Sequence, residues 1–216
     1  MKRVITISRN VVINNKLLEV HQKGSNGTPI VIVTGLGCSF DDWYDITEEL
    51  SKANRVILFH RPGQGLSEFR DENRTTEATV EELKELLQQL DIQEPIVLVG
   101  HSYGGLCVQH FAKVYPELLR GLVLVDSTSV DFAILDTLQL PVLDEDNTDE
   151  TWIEKYQLYS SMTTDALREI INPTLTEKQK QFPAEIQQRL LEFQVNPTLY
   201  KAMSSEIIHW KRCYPL

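Results

Sequence analysis

The sequence predicts an α/β fold: a mostly parallel sheet with flanking helices, followed by a helical cap. Three features predict it. Short, wholly apolar runs recur along the first 126 residues, helix-periodic stretches alternate with them, and after Asp126 the strand runs stop while helical periodicity continues. Continuous apolar runs, in place of in–out alternation, mean that both faces of a strand are covered, as in a parallel sheet between helix layers.

VITIS and KLLEVHQ, separated by Asn14-Asn15, read as two short strands joined by a turn. PIVIVTG (29–35), RVILFH (55–60), PIVLVG (95–100) and GLVLVD (121–126) read as four buried strands. Between them helices are expected over about 42–52, over 79–90 with Thr79 and Glu82 placed as a capping box, and over 103–115. Strand–helix–strand alternation at this spacing argues for right-handed βαβ units. The stretch from Ser127 to about Asp149, with its DEDNTDE run, reads as a solvated loop. Beyond it, Asn172-Pro173, Thr176 with Gln179, Pro183 and Asn196-Pro197 mark helix starts. The organisation expected is a core over 1–130, a helical cap or lid over 131–210, and the start of a further core strand over 211–216. A separate helical domain is the alternative for the second part.

Charge narrows the function. Lys and Arg number 21 against 31 Asp and Glu, a formal net charge of −10, which repels phosphate backbones and anionic membrane surfaces. Neither nucleic acid nor membrane is expected as a partner. The longest apolar runs are strand-length, well short of the roughly 18 residues of a bilayer span. Cys38, Cys107 and Cys213 show no C-x-x-C spacing, so no disulfide framework or structural zinc is expected, and no secretion signal is visible. A cytoplasmic location is expected. Without a spacing such as H-E-x-x-H, no metal or cofactor is implied.

The sharpest motif is Gly100-His101-Ser102-Tyr103-Gly104-Gly105, between the strand PIVLV and a helix beginning near Tyr103. It fits G-x-S-x-G in its required strand–turn–helix context. A serine on so tight a turn is forced into a strained backbone, and a β-carbon on the glycines two residues to either side would clash. Ser102 then sits at the amino end of a helix, where N–H groups favour developing negative charge. The competing reading is a glycine-rich turn with an incidental serine. The second motif, Thr34-Gly35-Leu36-Gly37-Cys38, leaves the sheet after PIVIV. Acyl transfer needs two N–H donors about 3 Å from the oxyanion, and those of Leu36 and Tyr103 are the candidates. A dinucleotide fingerprint starting at Gly35 would need glycine at position 40, which is Phe40.

These two motifs, together with HRPGQGLS (60–67) and YPELLRGLVLVDS (115–127), resemble the cap-bearing serine hydrolase branch of the α/β-hydrolase superfamily. Thr34 stands where that family often has histidine, and His60 where it usually has aspartate. The resemblance implies Ser102 as nucleophile, an acid after the seventh strand and a histidine after the eighth, in that chain order. This sequence stops first, with Cys213-Tyr214-Pro215-Leu216 resembling a lead-in to the seventh strand. It is therefore expected to be a piece of a longer gene, or a short relative whose apolar edge strand is shielded by its cap or by self-association.

Five histidines are candidates for the missing base. His21 lies on an early strand, His101 is the variable elbow residue, and His110 lies two helical turns past Ser102. His60 caps a strand at the sheet's carboxyl edge, yet the family's strand order puts a strand between it and the elbow, roughly 10 Å at backbone level. His209 reaches the site only if the cap folds it over. Asp126, ending the strand beside the elbow, is the candidate acid, because some family members place it there; the competing reading is a turn residue. Cys38 is a candidate thiol, with small-residue packing as the alternative.

The function expected is a serine hydrolase of small esters, thioesters or amides working through an acyl-enzyme on Ser102, weak or inactive as the isolated chain. The rival is a non-catalytic ligand-binding or signalling module on the same scaffold. A lyase or a cofactor-free oxygenase on this fold is a further alternative.

Overall fold

The computed structural model describes residues 6–69, 71–131 and 148–210. Strands β1 (Thr6–Ile13), β2 (Lys16–Lys23), β3 (Pro29–Val33), β4 (Arg55–Phe59), β5 (Ile96–His101) and β6 (Leu119–Val125) form one sheet, ordered β1-β2-β4-β3-β5-β6. The β1–β2 and β2–β4 pairs are antiparallel and the rest parallel. Asn14 and Asn15 carry φ of 49° and 61°, the left-handed pair that a two-residue hairpin turn needs.

Helices α1 (Tyr44–Leu50), α2 (Thr76–Gln89) and α3 (Tyr103–Val114) make the crossovers. Their placement explains the unbroken apolar runs. Val31, Val33, Ile57 and Phe59 pack with Leu83 and Leu86 of α2 and Leu106 and Phe111 of α3. Their alternates Ile30, Ile32, Val56 and Leu58 pack with Phe40, Trp43 and Leu50 on the other face. Each such side chain contributes about 1.5–3 kcal/mol by leaving water. β6 lies at the edge of the described sheet, with Leu122, Val123, Leu124 and Val125 exposed.

Four further helices follow: α4 (Asp149–Ser160), α5 (Thr164–Ile171), α6 (Ala184–Gln194) and α7 (Pro197–Trp210). They share a cluster of Leu167, Phe193, Val195, Leu199, Tyr200 and Met203, and Leu36 packs against both this cluster and the main core.

Four helix boundaries correct the sequence reading. α2 is capped by Thr75, whose hydroxyl accepts from the Ala78 N–H at 3.1 Å, so Thr79 lies inside the helix. Glu82 cannot close a box with Thr79, because both its oxygens accept from Arg74 at 2.7 Å. Asn172 ends α5 with φ 46° and its N–H on the Arg168 carbonyl, so Asn172-Pro173 is a stop; asparagine tolerates that conformation and proline cannot continue the helix. Thr176 and Gln179 exchange the two bonds of a capping box, at 2.8 and 3.2 Å, but open only the 3-10 turn Gln179–Gln181 before Pro183. The 42–52 stretch begins as a 3-10 turn, Phe40–Trp43, capped by Ser39. Pro183 and Asn196 do precede helices, the Asn196 side chain accepting from the Thr198 N–H at 3.1 Å. Most of the acidic 127–149 stretch, Cys213 and the 211–216 lead-in lie outside the described residues. No described helix is long and apolar enough to cross a membrane.

Candidate active site

β5 hands the chain to Ser102 at φ 51°, ψ −123°, and α3 starts at the next residue. A non-glycine residue there stores about 1–3 kcal/mol and persists only if its surroundings fix it. They do. The Ser102 N–H donates to the Val125 carbonyl at 3.3 Å, and its own carbonyl accepts from Gly105 at 2.8 Å and Thr128 at 3.2 Å. The Ser102 side chain makes no capping bond and is half-buried.

The neighbouring glycines are required by contact. A β-carbon at Gly100 would lie 2.3 Å from Val108 Cγ2, one at Gly104 2.2 Å from the Val33 carbonyl oxygen, and one at Gly105 2.0 Å from Ser127 Oγ. α3 thus rests directly on β3 and on the chain leaving β6.

The loop after β3 closes against the same turn. Thr34 Oγ1 donates to the Cys38 carbonyl at 3.0 Å, and the Cys38 N–H to the Gly35 carbonyl at 3.3 Å. A β-carbon on Gly35 would stand 3.0 Å from Ser102 Cβ, so the loop abuts the serine at Gly35. Tyr103, as the first residue of α3, has its N–H outside the helix's i→i−4 ladder. Gly35, the residue before Leu36, therefore lies against Ser102, and Tyr103 follows Ser102 in the chain.

Asp126 sits one residue past the Val125 carbonyl that receives the Ser102 N–H; it is exposed with φ 42°, as in a turn. Burial pushes the Cys38 thiol above its ordinary value, against thiolate chemistry. Among the described residues, Ser102 Oγ hydrogen-bonds to no histidine. His60 Nδ1 bonds Glu19 at 2.7 Å, and β3 separates its strand from β5. His110 Nδ1 meets Thr76 Oγ1 at 3.0 Å, and His209 Nδ1 donates to the Ser205 carbonyl at 2.7 Å. The His101 ring lies edge-on to Trp43, centroids 6.1 Å apart. His21, on β2, is paired across from Leu58 of β4. No metal-binding cluster occurs among the described residues.

Sequence reasoning gave no part to Arg61 or Glu206, both fully buried behind the Thr34–Gly35 carbonyls. The available signal was a charged residue directly after an apolar strand, and another inside an apolar helix.

The α/β hydrolase fold family model matches residues 28–199. A cis-3-alkyl-4-alkyloxetan-2-one decarboxylase from Shewanella oneidensis is 31% identical over 140 residues, 63% of this chain and 42% of that protein. A 2-hydroxy-6-oxo-2,4-heptadienoate hydrolase from Pseudomonas putida is 31% identical over 136 residues, 61% and 49% of the two chains. Among solved structures, the Cif epoxide hydrolase from Acinetobacter nosocomialis superposes with a TM-score of 0.67 at 22% identity, over 95% of this chain and 64% of that one. The chain spans about half or less of the length of these curated relatives, whose names describe different reactions. With the strand order, the glycine-flanked serine turn and the match over 28–199 in agreement, the chain belongs to the α/β-hydrolase fold family.

Proposed function

We propose that the protein is a serine hydrolase of small-molecule esters, thioesters or amides, with Ser102 as nucleophile. The observation that carries this reading is the strained Ser102 turn lying against Gly35 of the loop after β3. Ser102 Oγ loses its proton to water as it attacks the substrate carbonyl, the Leu36 and Tyr103 N–H groups receive the oxyanion, and its collapse expels the alcohol, thiol or amine, protonated from water, to leave the acyl-enzyme. Helices α4 to α7 roof the pocket and select substrate. Asp126 is the candidate acid for an imidazole brought to the elbow.

With no described histidine on Ser102 Oγ, the chain by itself retains only binding and oxyanion stabilisation, roughly 10³–10⁴ over water. That same observation favours the second reading, a ligand-binding module on a hydrolase scaffold. A pre-steady-state burst with p-nitrophenyl acetate separates the two. Release of one equivalent of nitrophenol per chain, absent in Ser102→Ala, supports an acyl-enzyme. Saturable binding of a small apolar ester without any burst supports the binding module instead.

A further inference from the structure

We propose that Arg61, gripped by Glu206 of α7, is a positioning residue that aims the Leu36 N–H, so that the last described helix governs the oxyanion-binding peptide. This rests on the hydrolase reading above.

Arg61 lies two residues past β4 and is completely buried. Its Nη1 donates to the Thr34 carbonyl at 2.7 Å and its Nη2 to the Gly35 carbonyl at 3.1 Å. Nε and Nη2 donate to the two oxygens of Glu206, at 2.7 and 3.1 Å. Four of the guanidinium's five N–H groups are thereby assigned. The Gly35 carbonyl and the Leu36 N–H belong to one planar trans peptide, so they point in opposite directions. Tying that carbonyl to Arg61 on one side, and to the Cys38 N–H, fixes the direction of the Leu36 hydrogen on the other. The guanidinium also lies 5.1 Å from the centre of the Tyr103 ring, on the residue that supplies the second donor.

A buried guanidinium needs a partner to remain charged. Burial works against the Arg61 charge, and the Glu206 carboxylate more than restores it. α7 touches the same loop a second time, one turn earlier: Met203 packs on Gly37, where a β-carbon would stand 2.7 Å from Met203 Cε. Gly37 has φ 64°, a conformation that spares the loop any side chain there. Residues 203 and 206 share a helix face, so one element holds the loop from both ends. A simple staple between α7 and the core would affect folding alone, whereas a positioning device also sets the reaction rate of correctly folded protein.

The test uses the full chain, the Glu206→Gln variant, and the double variant Arg61→Met with Glu206→Leu, which removes both charges and so leaves neither unpaired. A fluorophosphonate is titrated against each, giving a limiting phosphonylation rate at Ser102 and a half-saturating concentration, with thermal midpoints checking the fold. Positioning predicts a limiting rate lower by about 10- to 100-fold and a half-saturating concentration within about twofold of the parent. Unchanged limiting rates in folded variants overturn the proposal; if the double variant does not fold, Glu206→Gln alone decides it. Should the parent itself not react, the hydrolase reading fails separately, and amide hydrogen exchange at Leu36 and Gly37 takes over. Faster exchange there in the folded variants upholds the coupling of α7 to the loop, and unchanged exchange refutes it.

Discussion

Ser39 and Ser102 each open a helical turn on the carboxyl edge of the sheet, and they differ in what surrounds the hydroxyl. Ser39 has the partners usually sought around a nucleophile. Its Oγ lies 3.2 Å from His60 Nε2, and His60 Nδ1 lies 2.7 Å from Glu19 Oε2. Every member is already occupied. The Phe40 N–H donates to His60 Nε2 at 3.1 Å, which leaves the ring proton on Nδ1 for Glu19. Ser39 Oγ accepts from the Asp41 N–H at 3.1 Å, and Glu19 also takes the Leu66 N–H at 2.9 Å and Arg189 at 2.8 Å. Ser39, His60 and Glu19 are 1–3% exposed, so no substrate reaches the hydroxyl. The adjacent cavity of about 280 Å³, lined by Glu19, Asp41, His60, Leu66, Arg189 and Phe193, is not lined by Ser102. Ser102 is the reverse: strained, half-buried, and set against Gly35 of the neighbouring loop. A serine–histidine–glutamate chain is thus a structural network when it is saturated and closed, and under the proposed function strain with access is what would make Ser102 the nucleophile.

The network's structural role is tested most severely by His60→Ala. It removes a partner from the buried Glu19 and is expected to cost about 3–5 kcal/mol in urea unfolding, while phosphonylation at Ser102 persists in the folded fraction. Loss of Ser102 labelling in folded His60→Ala protein would make His60 part of the reaction.

The pH dependence of stability comes next. Burial raises the Glu19 carboxyl, but the His60 hydrogen bond, the Leu66 N–H and the Arg189 charge outweigh it and hold the folded value at about 2, from an ordinary 4.5. A lowered folded value stabilises above the unfolded one, and the gain disappears as pH falls from 4.5 through 2. The amount is about 3 kcal/mol. Asp41, pushed up by burial, runs the other way and reduces the slope. Urea midpoints from pH 7 to 2.5 should fall across that window, and Glu19→Gln should flatten the fall.

Gly104→Ala addresses the elbow. Its β-carbon would meet the Val33 carbonyl oxygen, so about 1–3 kcal/mol of stability is expected to go, with a slower limiting phosphonylation rate. An unaffected rate would mean that the turn's tightness does not set reactivity. Smallest is Ser39→Ala, which loses a helix-turn cap worth about 1 kcal/mol in chemical denaturation and should leave the labelling rate at Ser102 within about twofold.

The sheet was legible because its central strands are apolar on both faces, a pattern that only helices on either side explain. The strained turn at Ser102 was legible because its two flanking glycines answer to local contacts with Val33 and Val108. The start of α2 was misread because Thr75 and Thr79 both suit a cap, and the choice falls to Arg74, which takes Glu82 away from Thr79. Asn172-Pro173 carries the same residues whether it ends a helix or begins one. The pairings of Glu19 with His60, 41 positions apart, and of Arg61 with Glu206, 145 apart, have no local signature. Each depends on which strands and helices the fold sets side by side.

Peptide mapping after treatment with an alkyl fluorophosphonate tests the account at its centre. A single adduct on the peptide holding Ser102, with none on Ser39, is the predicted result. An adduct on Ser39, or equal low labelling across surface serines, would contradict it.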